Sequence, residues 1–165
     1  KVCISMFSDF VKISTERLDR SIASSIIVRE SEVDRLCFLI LRLASNLKFH
    51  RSFARSIERI ADHIEAMAEA IMILGKSYRE LFIGNEILGV LKQSLMAFLK
   101  SDIEMAESVL RSVSELKGRI SNLQERLLNY SKSEIISLKT IIDGMERILA
   151  YSSDIAELVI DKSVE

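Results

Sequence analysis

Proline and tryptophan are absent from these 165 residues, and glycine occurs only five times. A chain so poor in breakers has few natural stops, and its elements should be long. The two cysteines, Cys3 and Cys37, are too few for a disulfide framework; both sit among apolar neighbours and read as core residues of a reducing cytosol. With two histidines and no glycine-rich phosphate loop, no nucleophile–base constellation can be assembled, and the chain reads as non-enzymatic. Formal net charge is −1, so bulk electrostatics does not argue for nucleic acid or an anionic membrane. No unbroken apolar run approaches the roughly 18 residues of a membrane-spanning helix, and no signal-peptide pattern opens the chain. It starts on Lys1 rather than Met, and is expected to be an excised piece of a longer protein.

What the chain has is apolar content of 48% in helical spacing nearly everywhere. All-α is the expected class. Ser56–Leu74 shows the plan most clearly. Phe53, Ile57, Ile60, Ile64, Met67, Ile71 and Leu74 alternate steps of four and three, laying one apolar seam along a helix. Glu58, Asp62, Glu65 and Glu69 form a second stripe, roughly 160° away at 100° per residue. One face packs and the other offers a row of acids.

Taken in order, the pattern predicts six helices. The first spans Met6 to about Leu18, with Phe7, Phe10, Val11 and Ser14 on one side. Asp19 caps a second helix running from about Arg20 to Asn46, whose seam is Ile22, Ile26, Val33, Leu36, Ile40, Leu43 and Leu47, broken at Arg29. The third spans Arg51 to Leu74. Short connections make the three antiparallel neighbours. After the Gly75-Lys76-Ser77 joint, the plan returns: Glu86 to Lys100, then a helix capped by Ser101-Asp102 and reaching about Asn129, then Ser133 to about Ile160. The seam of the last is Leu138, Ile141, Met145, Ile148, Ser152, Ile155 and Val159.

The halves superpose. Asp19-x3-Ala23 matches Asp102-x3-Ala106 at an offset of 83, and Glu58-Arg59-Ile60 matches Glu146-Arg147-Ile148 at an offset of 88. Two tandem three-helix bundles, residues 1–76 and 77–165, are therefore expected to form one elongated domain by duplication. The remaining apolar strips predict a homodimer.

Two Glu-x3-Asp pairs carry the chemistry: Glu30 with Asp34, and Glu58 with Asp62. The i, i+4 spacing places both carboxylates of a pair on one helix face, where they repel unless a cation joins them. Mg²⁺, Ca²⁺, Mn²⁺ and ferrous or ferric iron suit such oxygen ligands. The competing reading is a solvated surface, with Arg35, Arg55 and Arg59 supplying the countercharge; Arg51, Arg55 and Arg59 form an i, i+4 row expected to pair with Glu58 and its neighbours. His63 points about 100° away from Asp62 and need not be a ligand. A di-iron carboxylate enzyme would need two Glu-x-x-His pairs, and neither His50 nor His63 has a Glu three positions before it.

With these residues in view, the chain resembles the PhoU family of phosphate-uptake regulators, in its archaeal-type form. The likeness rests on Glu58-Arg59-Ile60-Ala61-Asp62-His63 with Met67-Ala68-Glu69, and on Glu30-Ser31-Glu32-Val33-Asp34-Arg35-Leu36 in the preceding helix. It implies a fold of two three-helix bundles and a metal or iron site at Glu30, Asp34, Glu58 and Asp62. In the second half those positions hold Val113, Lys117, Glu146 and Ala150, so the resemblance supports a single site. It further implies a cytoplasmic negative regulator acting on phosphate transporter components or a sensor kinase, with DNA contacted only through a domain ahead of Lys1. A metal-free helical adaptor is the alternative.

Overall fold

The computed structural model describes residues 1–44 and 47–164. Six α-helices carry the fold, and no strand occurs among the described residues. They are α1 (Val2–Thr15), α2 (Arg20–Leu43), α3 (Lys48–Leu74), α4 (Gly84–Lys100), α5 (Ile103–Arg126) and α6 (Lys132–Val164), with short 3-10 turns at Arg79–Ile83 and Leu127–Asn129. The all-α, two-triplet architecture is the one expected.

Local chemistry explains the boundaries. Asp19 caps α2, accepting from the backbone N–H of Ser21 and Ile22. Asp102 repeats the device at α5, accepting from Met105 N–H. Gly75 ends α3 in the left-handed conformation, with φ of 71°, where a side chain would be strained. Before α6, Ser131 and Glu134 close a capping-box-like loop, the carboxylate accepting from Ser131 N–H and Oγ–H. The first helix starts and stops earlier than expected, at Val2 and Thr15, and α3 begins three residues early at Lys48. The expected end of α2 at Asn46 falls, with Ser45, outside the described residues.

In each triplet the last helix packs on both others: α3 on α1 and α2, α6 on α4 and α5. The triplets meet mainly along α3 and α6, with α1 against α4, leaving α2 and α5 as outer helices. The α3 and α6 seams behave as read. Ile60, Ile64, Met67 and Ile71 are buried opposite Leu138, Ile141, Met145, Ile148, Ser152, Ile155 and Val159. Gly144 of α6 permits the approach, since a Cβ there would stand 2.4 Å from Met67 Sδ. Arg79–Lys100 is long and apolar enough by composition to cross a membrane, because averaging tolerates the polar residues that break its apolar runs; more than half of its most apolar window is buried in the bundle, as befits a core helix.

The α2 seam needs correcting. Ile26 and Val33 are buried, joined by Cys37 and Ala23, but Leu36, Ile40, Leu43 and Leu47 are exposed. The buried positions Ile26, Val33, Cys37 and Ala44 follow a line roughly 70° around the helix from Leu36, Ile40 and Leu43 at 100° per residue, so α2 packs with a face turned away from the one the spacing marks. The break at Arg29 is also explained: its guanidinium reaches α1, donating to Asp9 Oδ2 at 2.6 Å and Ser5 Oγ at 2.9 Å.

A cluster of carboxylates between the second and third helices

α2 and α3 lie side by side and antiparallel, so each helix presents one carboxylate pair to the shared groove. The structure brings three of the four expected residues together. Carboxylate oxygens of Glu30, Asp34 and Asp62 all lie within 4.8 Å of one another. Glu58 stands beside this trio rather than in it. With Asp34 it lines a shallow pocket of about 230 Å³, walled also by Cys37, Arg55 and Arg59.

The expected neutralising ion pairs are not formed. Among the described residues, none of Glu30, Asp34, Glu58 or Asp62 has a cationic partner within salt-bridge distance. Arg35 Nε donates to the Ser31 carbonyl one turn back, and Arg59 lies over the Tyr151 ring of α6 at 5.9 Å. Arg51 and Arg55 likewise make no such pair. The long arginine stems find backbone and aromatic surface instead of the acids.

Glu30, Glu58, Asp62 and Glu65 hold their protons more tightly than usual. Burial raises the Glu30 carboxyl, and Asp34, Glu65 and Asp62 add repulsion. Glu58 is raised by burial and by Asp62 and Asp34, against the opposing pull of Arg59 and Arg55. Asp62 is raised by burial and then by Asp34. Glu65 is raised too, by burial first and then by Glu69 and the pair Asp62 and Asp34. Glu65 belongs to the acid row of the sequence but to neither Glu-x3-Asp pair; its tie to Glu30 comes from helix packing, which spacing along one helix does not show.

One buried oxygen, Asp34 Oδ1, has no hydrogen-bond partner. A buried oxygen without a partner, on a residue whose carboxylate lies near two others, is a poor arrangement for the protein alone and a good one for a cation. Oxygens up to 4.8 Å apart suit a shared ion with metal–oxygen bonds of about 2.4 Å, and smaller ions require the groove to tighten slightly. The donors are hard. Cys37, at the pocket wall, is held as a thiol by burial and by Glu58, its pKa pushed up to about 11, so soft thiolate ligation does not compete. His63 is turned away: it stacks on Tyr151 with ring centroids 5.9 Å apart, and burial, with Arg147, favours its neutral form.

The second half carries no such trio among the described residues. Val113 is buried in the core, Lys117 and Glu146 are exposed, and Ala150 is half-buried.

Residues 1–71 match the PhoU domain family, the segment that holds all four carboxylates. Over the whole chain the fold is similar to two solved structures. One is the phosphate transport system regulatory protein PhoU from Streptococcus pneumoniae (18% identity, 99% of this chain and 89% of that one, TM-score 0.85). The other is PhoU from Pseudomonas aeruginosa (22% identity, 96% and 88%, TM-score 0.84). At these identities the likeness is one of fold. No curated protein matches the sequence.

Proposed function

We propose, from a chain that is PhoU-like in sequence over residues 1–71 and PhoU-like in fold throughout, that this protein is a non-enzymatic regulator of phosphate uptake. It acts in the cytoplasm as a helical scaffold, engaging phosphate transporter components or a sensor kinase as a homodimer. Glu30, Asp34 and Asp62 hold one divalent cation or iron, with Glu58 at its edge. The observation that carries the reading is the trio of unpaired carboxylates inside the PhoU-matched segment. A bound cation would supply the charge that the arginines do not, tying α2 to α3 and fixing the scaffold's shape for its partners.

Two experiments test separate parts. Elemental analysis and cation titration of wild type against an Asp34→Ala, Asp62→Ala double variant examine the site; equal metal content in both removes it. Phosphate uptake in cells lacking the gene, complemented by wild type or the double variant, examines the role. Uptake that ignores deletion of the gene removes the regulator reading.

A further inference from the structure

Where α5 turns into α6, a pocket of about 230 Å³ opens between these helices and the 3-10 turn at Arg79–Ile83. It shares no residue with the carboxylate cluster. Leu81, Leu127, Leu138 and Ile142 line it, and all four are buried. Leu123 and the rings of Tyr78 and Tyr130, set edge to face with centroids 5.8 Å apart, complete the apolar lining. The matched segments of the two halves are offset by 83 at the start of α5 and by 88 within α6, so five extra residues fall between them. The turn that supplies Leu127, Asn129 and Tyr130 lies inside that interval.

Two charged side chains also line the pocket, Glu80 and Arg126, and both are exposed, so they stand at its mouth. Neither forms an ion pair among the described residues. Glu80 faces the Tyr130 hydroxyl, which burial and then Glu80 hold above its usual pKa. The charges nearby are committed to each other: Lys76 pairs with Glu134 at 2.8 Å, and Glu134 accepts from Tyr78 O–H at 2.9 Å. Asn129, exposed as well, adds an amide donor and acceptor at the rim. An apolar hollow edged by a cation and an anion that do not neutralise each other is complementary to an amphiphile whose polar end carries both signs. Size narrows the choice. A dry apolar cavity of about 150 Å³ takes up benzene, so 230 Å³ holds a phenyl ring with the carbon that joins it to a head group.

We propose that this pocket binds a free α-amino acid with a large apolar side chain. The side chain enters between Leu138, Ile142 and the two tyrosines, the carboxylate meets Arg126 and the ammonium meets Glu80. Neither phosphate nor a cation enters this assignment, so it stands or falls apart from the regulator reading. The probe is L-phenylalanine, titrated calorimetrically beside 3-phenylpropionate, which lacks the ammonium, and phenethylamine, which lacks the carboxylate. Phenylalanine should bind at least about threefold tighter than either, the worth of one exposed charge contact. Arg126→Gln should erase its advantage over phenethylamine, and Glu80→Gln its advantage over phenylpropionate; both positions are exposed, so the fold is not at stake. Leu123→Trp, filling the pocket from a half-buried wall, should abolish binding. Methyl NMR of the wild type locates the ligand whether or not that variant folds: the Leu138 and Ile142 signals should shift, and those of Leu91 in α4 should not. Binding of none of the three probes overturns the proposal. So does equal binding of all three, which marks a greasy hollow without recognition, a preference that survives both rim variants, or methyl shifts that leave Leu138 and Ile142 unmoved.

Discussion

Two groups of carboxylates titrate in opposite senses, and each predicts a pH signature at a single residue. Glu134 accepts from Lys76, Ser131 and Tyr78, which together hold its pKa down from 4.5 to about 2. A depressed acid stabilises the folded state above its unfolded pKa and loses that contribution as pH falls through the folded value. Wild type should therefore melt above Glu134→Gln near pH 6, with the gap closing between about 4.5 and 2 in melts followed by circular dichroism. Glu30 behaves in reverse. Its raised pKa means that its contribution is fully present below the ordinary carboxylate range and is lost as pH rises through the folded value. In chelator-treated protein, Glu30→Gln should thus be the more stable form at pH 7–8, by a few tenths of a kcal/mol for the removed like-charge contacts. The advantage should fade as pH drops to about 4, where wild type takes up protons. Saturating cation should reverse the order at neutral pH, because only wild type retains the full ligand set.

At the scale of elements, caps and seams were legible because they are local. Asp19, Asp102 and Gly75 announce helix ends by residue type alone, and all three act as read. The Asp102 cap predicts that Asp102→Ala lowers stability by about 1 kcal/mol in denaturant melts while Asp102→Ser restores most of it; an unchanged midpoint for alanine would show that the bond to Met105 N–H carries no weight. What the sequence could not show was which of two apolar lines α2 would bury. The periodicity of Leu36, Ile40 and Leu43 is as regular as that of Ile60, Ile64 and Met67, yet only the second set is buried. Periodicity reports that a face is apolar, whereas burial depends on which face the adjacent helices cover. The same limit applied to the site. Spacing placed Glu30 with Asp34 and Glu58 with Asp62, but which oxygens converge is set by the register of α2 against α3, and that register favours Asp62 over Glu58. The failed arginine pairing has a related cause, since Arg59 finds Tyr151 on α6, just over ninety residues further along the chain.

At the scale of the molecule, the residues of the two short matches sit at equal depth: the paired alanines Ala23 and Ala106, and the paired isoleucines Ile60 and Ile148, are all fully buried. What the matches did not disclose is how intimately the triplets join. Gly144 answers that and supplies a test by sign. In a helix with open space at that position, Gly→Ala is stabilising by about 0.5–1 kcal/mol, because alanine loses less backbone freedom on folding. Here the new methyl would stand 2.4 Å from Met67 Sδ and 2.6 Å from its Cγ, against a side chain that is itself fully buried. Overpacking of this kind costs about 1–3 kcal/mol, so it should outweigh the helix gain and Gly144→Ala should destabilise. Met67→Ala alone should also destabilise, by opening a cavity. In the double variant the methyl occupies part of the space that Met67 vacates, and the loss should be smaller than the sum of the two, which a double-mutant cycle measures directly. A stabilising Gly144→Ala, or strict additivity in the cycle, would mean that α3 and α6 are not in close contact at this point, and a cation tying α2 to α3 could not then be felt in the second triplet.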